Sequence, residues 1–112
     1  MKNYIEIAME LKCMILKGYF LPSEKLPSIR SLAIQYNRSA STISSAIKVL
    51  YEENLIKVNS TKGYYVTNDS EYIRMKHKQM VQDITQNYIN KMMSIGLSAE
   101  EIIVRINQSK DF

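Results

Sequence analysis

The spacing of the hydrophobic residues along this 112-residue chain changes near Asn54, and this change limits the folds open to it. Up to Asn54 they recur every three or four residues, the period of one face of an amphipathic helix. The segments LIKV and YYVT that follow are short and rich in branched and aromatic residues, as strands are. The helical period returns after residue 70. The sequence therefore predicts a mainly helical protein with one two-stranded hairpin.

Three helices are predicted before the hairpin, and each is followed by a residue that tolerates a left-handed backbone. The first covers residues 3–17 and is ended by Gly18. The second begins after Ser28, whose hydroxyl can cap it, and is ended by Asn37; the third covers residues 39–53. The apolar residues expected to face the core are Tyr4, Ile7, Ala8, Leu11, Met14, Ile15, Ile29, Leu32, Ala33, Tyr36, Ile43, Ala46, Ile47 and Leu50.

The second half of the chain contains the hairpin and two more helices. A polar loop of about five residues, NSTKG, is expected between the strands. The next helix is predicted over residues 70–95 and is ended by a glycine. Ser98 and Glu101 have the spacing of a capping box, so they should begin a last helix that ends near residue 108.

A helix-turn-helix needs particular residues where its two helices cross. The first helix needs a small residue at the contact, the turn needs a residue that accepts a positive φ, and the second helix needs apolar anchors. Ala33, Asn37, Ile43 and Ile47 meet these needs. With the hairpin behind it, this is the order of a winged helix-turn-helix, whose third helix enters the major groove of DNA. We therefore expect three helices plus a β-hairpin wing, followed by a two-helix element.

The positive charge is concentrated in the first part of the chain. Residues 1–67 contain nine Lys or Arg and five Asp or Glu, whereas residues 68–112 contain six of each. A basic unit joined to a neutral one suggests a polyanion-binding domain attached to a protein-binding element, although an ordinary solvated surface can also carry so small an excess. We predict a DNA-binding domain over residues 1–68 and a dimerisation or regulatory element over residues 69–112.

Composition and motifs argue against several other functions. No apolar run approaches the roughly 18 residues of a membrane helix, and the N-terminal segment lacks the apolar core of a signal peptide, so we expect a cytoplasmic protein without membrane contact. Cys13 has no second cysteine to pair with. A glycine-rich phosphate loop and a catalytic triad are both missing from the sequence, so no enzyme is expected. His77 has no metal-ligand spacing around it, and we expect neither metal nor cofactor.

Residues 4–66 resemble the N-terminal domain of the GntR family of bacterial transcription regulators. The resemblance rests on LPSIRSLA at residues 26–33, SASTI at residues 39–43 and KGYYV at residues 62–66. The short helical remainder is similar to the YtrA subfamily, in which such a pair of helices forms the dimer. The resemblance implies a repressor whose target is an exporter or transporter operon. A two-fold dimer would place two copies of the third helix on an inverted-repeat operator.

The same resemblance implies that Arg30 contacts DNA. Its position agrees, because it lies one turn into the second helix between the inward Ile29 and Leu32 and can point outward. The alternative is a solvated arginine or one paired with Glu24.

The third helix departs from the family pattern at its start. Ala40 stands where the family usually has arginine, and Arg38 precedes the capping serine. Our hypothesis is that Arg38 supplies the lost contact while Ala40 meets a thymine methyl group. The alternative is that Arg38 is merely exposed and the small residues allow close backbone approach. The candidate DNA-binding residues are Ser28, Arg30, Arg38, Ser39, Ala40, Ser41, Thr42, Ser44, Ser45, Lys48, Lys62 and Gly63.

The two C-terminal helices carry more apolar surface than a winged domain of about 60 residues can cover. A two-fold homodimer would bury it, and the alternative is that these helices fold back on the first helix of their own chain. A small-molecule effector is conceivable, but its chemistry is not encoded in any motif. The alternatives to a sequence-specific regulator are a winged-helix adaptor and a non-specific architectural DNA binder. The candidate dimerisation residues are Ile73, His77, Met80, Val81, Ile84, Tyr88, Met92, Ile95, Ile102, Ile103 and Ile106.

Overall fold

The computed structural model describes residues 1–109, and within them it contains five helices and a two-stranded antiparallel sheet. Residues 110–112, which belong to the predicted C-terminal element, lie outside the described residues. The mainly helical fold with one hairpin is thus confirmed. The elements are α1 (Tyr4–Leu16), α2 (Ile29–Tyr36), α3 (Ala40–Glu52), β1 (Ile56–Asn59), β2 (Gly63–Val66), α4 (Ser70–Ser94) and α5 (Ala99–Gln108).

The chain divides into two compact units, Met1–His77 and Lys78–Phe112. The division falls inside α4, so the first two turns of that helix lie with the winged domain. No helix within residues 1–109 has both the length and the apolar character needed to cross a membrane.

The predicted caps begin and end the helices of the first unit. The Ser28 hydroxyl accepts a hydrogen bond from the Ser31 amide at 3.0 Å, and Ser39 accepts one from the Thr42 amide at 3.2 Å. Asn37 ends α2 with φ 53° and ψ 48°, the left-handed conformation that its side chain tolerates better than most. These three residues set the bounds of α2 and the start of α3.

The core of the first unit lies between α1, α2, α3 and the inner side of the hairpin. Tyr4 was expected to face it but is 41% exposed, because it is the first residue of α1 and lies one turn before the first buried residue, Ile7. The buried hydrophobic residues are Ile7, Ala8, Leu11, Ile15, Phe20, Leu26, Leu32, Ile43, Ala46, Ile47, Leu50, Leu55, Ile56, Val66 and Ile73.

The hairpin is tighter than expected and has an extended neighbour. Asn59 pairs with Gly63, so the loop comprises residues 60–62 instead of about five residues. The segment before α2 runs beside β2: the Leu26 amide donates to the Tyr64 carbonyl and the Val66 amide donates to the Glu24 carbonyl, both at 2.9 Å. Strand β2 therefore lies between β1 and this segment.

Two residues predicted for the dimer surface are buried within the units themselves. Ile73 is 9% exposed and packs in the core of the first unit, because it lies in the first turn of α4, which is part of that unit. It is therefore removed from the proposed interface. Ile102 is 4% exposed, whereas Ile103 and Ile106 beside it on α5 are exposed.

Candidate nucleic-acid interface

The turn between α2 and α3 fixes the direction of α3 relative to α2. The backbone of Asn37 is in the left-handed conformation, so the chain changes direction between the two helices. The Arg38 amide donates a hydrogen bond of 3.0 Å to the Ala33 carbonyl. Ile43 and Ile47 are buried on the inner side of α3. The opposite side of α3 is consequently turned to solvent.

The exposed side of α3 is formed by small hydroxyl residues and one lysine. Ser41, Ser44 and Lys48 are exposed and Ser45 is half-buried, at the three- and four-residue spacing of one helix face. The Ser45 hydroxyl donates to the Ser41 carbonyl at 3.1 Å. Within residues 1–109, this face carries no acidic residue between Ser39 and Lys48.

The hydroxyls at the start of α3 are joined to one another. The Ser39 hydroxyl lies 3.1 Å from the Ser41 hydroxyl and 2.9 Å from the Thr42 hydroxyl, and Ala40 beside them is exposed. The alanine leaves space at the N-terminus of α3, where backbone N–H groups and the helix dipole favour an anion such as a phosphate. The arrangement allows a nucleic-acid backbone to come close to this end of the helix.

Arg30 is exposed on α2 and forms no ion pair with any residue that the structure describes. Arg30 does not form the alternative ion pair with Glu24. The Glu24 carboxylate accepts a hydrogen bond from the Leu21 amide at 2.9 Å. The guanidinium of Arg30 is therefore available to an external anion.

Arg38 is half-buried. The alternative that this arginine is merely exposed therefore does not describe it. Its Nη1 atom lies 2.9 Å from the Met1 sulfur and donates to it. A thioether is a weak acceptor, and a guanidinium has five N–H donors, so most of the donors remain available. The N-terminal segment thus contacts Arg38 at the start of α3.

An N-terminal cluster that the sequence analysis did not predict joins α1 to α2. The Tyr36 hydroxyl donates to Glu10 at 3.1 Å, and Lys2 forms an ion pair with the same carboxylate. The hydrogen bond from Lys2 lowers the pKa of Glu10. Burial, followed by the negative charge of Glu10, raises the pKa of Tyr36 to about 12. Only the three-dimensional packing brings these residues together, since they are far apart in sequence.

The wing tip contains the two residues predicted for it. Lys62 is exposed in the turn, and Gly63 follows with φ 102°, a conformation that residues with a side chain rarely adopt. A Cβ atom on Gly63 would lie 3.4 Å from Cε of Lys25, so the lysine stem passes directly over the glycine. Lys25 was not among the predicted site residues, because the segment that carries it is an irregular connection in the sequence.

All twelve candidate DNA-binding residues lie in the first unit and are exposed or half-buried. The candidate dimerisation residues are divided between the units. Ile73 is buried in the first unit, His77 is exposed at the end of that unit, and the other nine lie in the second unit. Within residues 1–109, no group of three or more His, Cys, Asp or Glu side chains could hold a metal ion.

The fold and the exposed face of α3 define a winged helix-turn-helix protein of the DNA-binding class. Residues 3–66 match the family model described as bacterial regulatory proteins, gntR family. The chain belongs to this family and is a DNA-binding transcriptional regulator, and the resemblance predicted from its three motifs is confirmed.

Similar proteins agree with this assignment. The HTH-type transcriptional repressor YtrA of Bacillus subtilis is 28% identical over 100 residues, which are 88% of this chain and 77% of the relative. A GntR family transcriptional regulator from Listeria monocytogenes has a TM-score of 0.91 at 27% identity, covering 96% of this chain and 94% of that one. The structure of AraR(DBD) in complex with operator ORR3 has a TM-score of 0.56 at 30% identity, over 57% of this chain and 77% of that one.

Proposed function

We propose that this chain is a sequence-specific repressor that binds an inverted-repeat operator as a homodimer. The observation that carries the proposal is the exposed face of α3 from Ser39 to Lys48, which carries no acidic side chain; Arg38 directly precedes this stretch, and Arg30 is exposed on α2. Such a face can enter a major groove without repelling the phosphates on either side of it.

The recognition helix would read DNA mainly by close approach. Serine and threonine hydroxyls bond to bases or phosphates, and the Ala40 methyl group fits against a thymine methyl. Arg38 would supply the long side chain that α3 lacks at its start. Arg30, one helix earlier, would hold the domain on the phosphate backbone and fix its register.

The apolar surface of the second unit supports a homodimer. Ile84 is 58% exposed and Ile95 is 73% exposed, and Val81, Ile103 and Ile106 are exposed as well. Contiguous apolar surface is costly in water, and a two-fold axis would let one patch cover its own copy. The two recognition helices of such a dimer would lie about 34 Å apart, or a multiple of that, on the operator.

The names of two relatives support the repressor role and the binding of an operator. YtrA is named as a transcriptional repressor, and AraR(DBD) was solved with its operator. An exporter or transporter operon is the target that the YtrA resemblance implies. The proposal assigns no effector.

The proposal is tested by selecting bound fragments from a pool of random-sequence duplexes with the full chain. We expect an enriched motif with two-fold symmetry. Uniform recovery of all sequences would indicate an architectural DNA binder, and recovery of none would indicate an adaptor; either result would overturn the proposal. The Arg30→Ala variant serves as the matched protein: because Arg30 would contact only the phosphate backbone, this variant should recover the same motif in smaller amounts.

A further inference from the structure

The outer face of the wing carries a row of side chains that spans three backbone segments. Lys57 of β1 pairs directly with Tyr65 of β2, and Tyr65 forms an isolated bridge with Lys25 on its other side. Residues that are directly opposite one another in adjacent strands point to the same face of a sheet. Lys25, Tyr65 and Lys57 therefore lie side by side.

This row lies on the side of the wing that faces away from the core. Side chains alternate along a strand, and the neighbours Leu26, Ile56 and Val66 are the buried ones. Asn59 and Gly63 pair two residues closer to the tip, on the same outer face as the row. The stem of Lys25 extends over Gly63, so its ammonium group is directed toward the tip.

The outer face of the wing carries a positive charge. Lys25, Lys57 and Lys62 are exposed, and none of them pairs with an acidic residue within the part of the chain that the structure describes. Glu24 adjoins Lys25 in sequence, but its carboxylate is bonded to the Leu21 amide. The face therefore offers several positive charges that an external anion can neutralise.

The span of the face indicates the kind of anion. The backbone positions of Lys25 and Lys57 are separated by two strand spacings, roughly 10 Å, and Lys62 lies further along at the wing tip, so the three lysines are spread along the face. The groove beside Lys57, Lys62 and Tyr65 is open, with a volume of about 370 Å³, and has no enclosed pocket for a small molecule. A linear polyanion matches this shape better than a single ion.

We propose that the outer face of the wing, formed by Lys25, Lys57, Lys62, Asn59 and Tyr65, binds the sugar-phosphate backbone of the duplex that α3 reads. The inference rests on the proposed function and extends it, because it adds a phosphate-binding surface beyond the wing tip. Lysine contacts to phosphate carry no sequence information, so this face adds affinity and not specificity.

The experiment measures the salt dependence of binding to random-sequence duplexes of about 25 base pairs, long enough for two half-sites. Each phosphate contact contributes about 0.9 to the slope of log K against log salt concentration. The Lys25→Gln/Lys57→Gln variant should bind roughly ten- to a hundredfold more weakly per protomer near 0.1 M salt, with a slope smaller by about two. The Lys78→Gln/Lys91→Gln variant, with two exposed lysines of α4 neutralised, is the control and should keep the slope.

The Lys25→Arg/Lys57→Arg variant separates charge from folding, since it should restore the wild-type slope. An unchanged slope in the Gln variant, or an equal loss in the Arg variant, would overturn the inference. The selection experiment remains independent of it. A wild-type protein that selects a symmetric motif while its Gln variant keeps the full slope refutes this inference alone. A wild-type protein that recovers all sequences uniformly while its Gln variant loses slope refutes the proposed function alone.

Discussion

The Tyr72 hydroxyl, in the first turn of α4, donates a hydrogen bond of 2.6 Å to the backbone carbonyl of Glu53 at the end of the recognition helix. The Glu53 side chain accepts from Lys12 of α1 at 2.7 Å, and Lys76 of α4 lies 3.9 Å from the same oxygen. Because the last carbonyls of a helix have no partner inside it, Tyr72 satisfies one that would otherwise depend on water. The start of α4 is therefore joined to the C-terminus of α3.

Replacing Tyr72 with phenylalanine should lower the free energy of unfolding by about 1 kcal/mol, because the partly buried carbonyl of Glu53 loses its donor while the ring stays in place. Urea denaturation of the two proteins measures the difference. Tyr4→Phe is the control, since Tyr4 is exposed, and it should leave the midpoint unchanged. Equal midpoints for wild type and Tyr72→Phe would show that this bond does not stabilise the domain.

Asn37 tests the geometry of the turn. Its φ of 53° is costly for a residue with a Cβ atom but not for glycine. Asn37→Ala should therefore destabilise the domain by about 1 to 2 kcal/mol, whereas Asn37→Gly should remain within a few tenths of a kcal/mol of wild type. Thermal unfolding of the Ala and Gly variants distinguishes backbone strain from loss of the side chain, since both variants lack the side-chain carboxamide of asparagine. A Gly variant as unstable as the Ala variant would exclude the strain argument.

Much of the first unit was predictable from local chemistry. Ser28, Asn37 and Ser39 act on backbone groups within three residues, so the bounds of α2 and the start of α3 follow from the sequence. The apolar residues of α3 were also correctly placed, because a helix of 13 residues presents a clear periodic stripe.

What the sequence did not predict depends on contacts between distant segments. The segment at Lys25 is extended because it forms hydrogen bonds with β2. The sequence around Lys25 does not show the alternation of apolar and polar residues that is typical of a strand. The packing of Ile73 into the first unit was hidden because its position on a helical stripe is the same whether that stripe faces a core or a partner. Glu10 and Tyr36 meet across two helices for the same reason.

Arg30 and Arg38 lead to a measurable prediction about DNA affinity. If each neutralises one phosphate, Arg30→Ala and Arg38→Ala should each reduce the slope of log K against log salt by about one per bound protomer. If Arg38 instead bonds to a base, its removal should relax the selected motif at one position while the slope changes less. Lys17→Ala, at an exposed position that ends α1, is the matched loss of charge. An Arg38→Ala protein with wild-type slope and motif would leave Arg38 without a role in binding.

Alkaline titration tests the cluster at Tyr36. Its pKa of about 12 lies above the ordinary value of about 10, so the folded state favours the protonated hydroxyl. The protonated Tyr36 hydroxyl contributes fully to the stability of the folded state below about pH 10, and this contribution is lost as the pH rises from about 10 to about 12. Tyrosinate absorbance should show one late-titrating tyrosine that disappears in Tyr36→Phe. In Glu10→Gln it should titrate earlier, though still late, because burial is the larger cause.

The exposed Tyr51 provides the comparison, because Tyr51→Phe should leave the late step in place. A late step that survives in Tyr36→Phe would assign the raised pKa to another tyrosine.

The proposed homodimer requires the apolar face of α4 to be its interface. A charge at Ile84, which is 58% exposed in the single chain, would have to be buried without a partner in a homodimer. Ile84→Asp should therefore be a folded monomer at micromolar concentration by sedimentation, whereas wild type should be a dimer. Gln82→Asp places the same charge on the opposite side of the same helix and should stay dimeric. Because a monomer must occupy each half-site separately, Ile84→Asp should also lose cooperative binding to the selected duplex, while the affinity for one half-site persists. A wild-type protein that sediments as a monomer would contradict the dimer directly, and a dimeric Ile84→Asp would move the interface to another face of the helix.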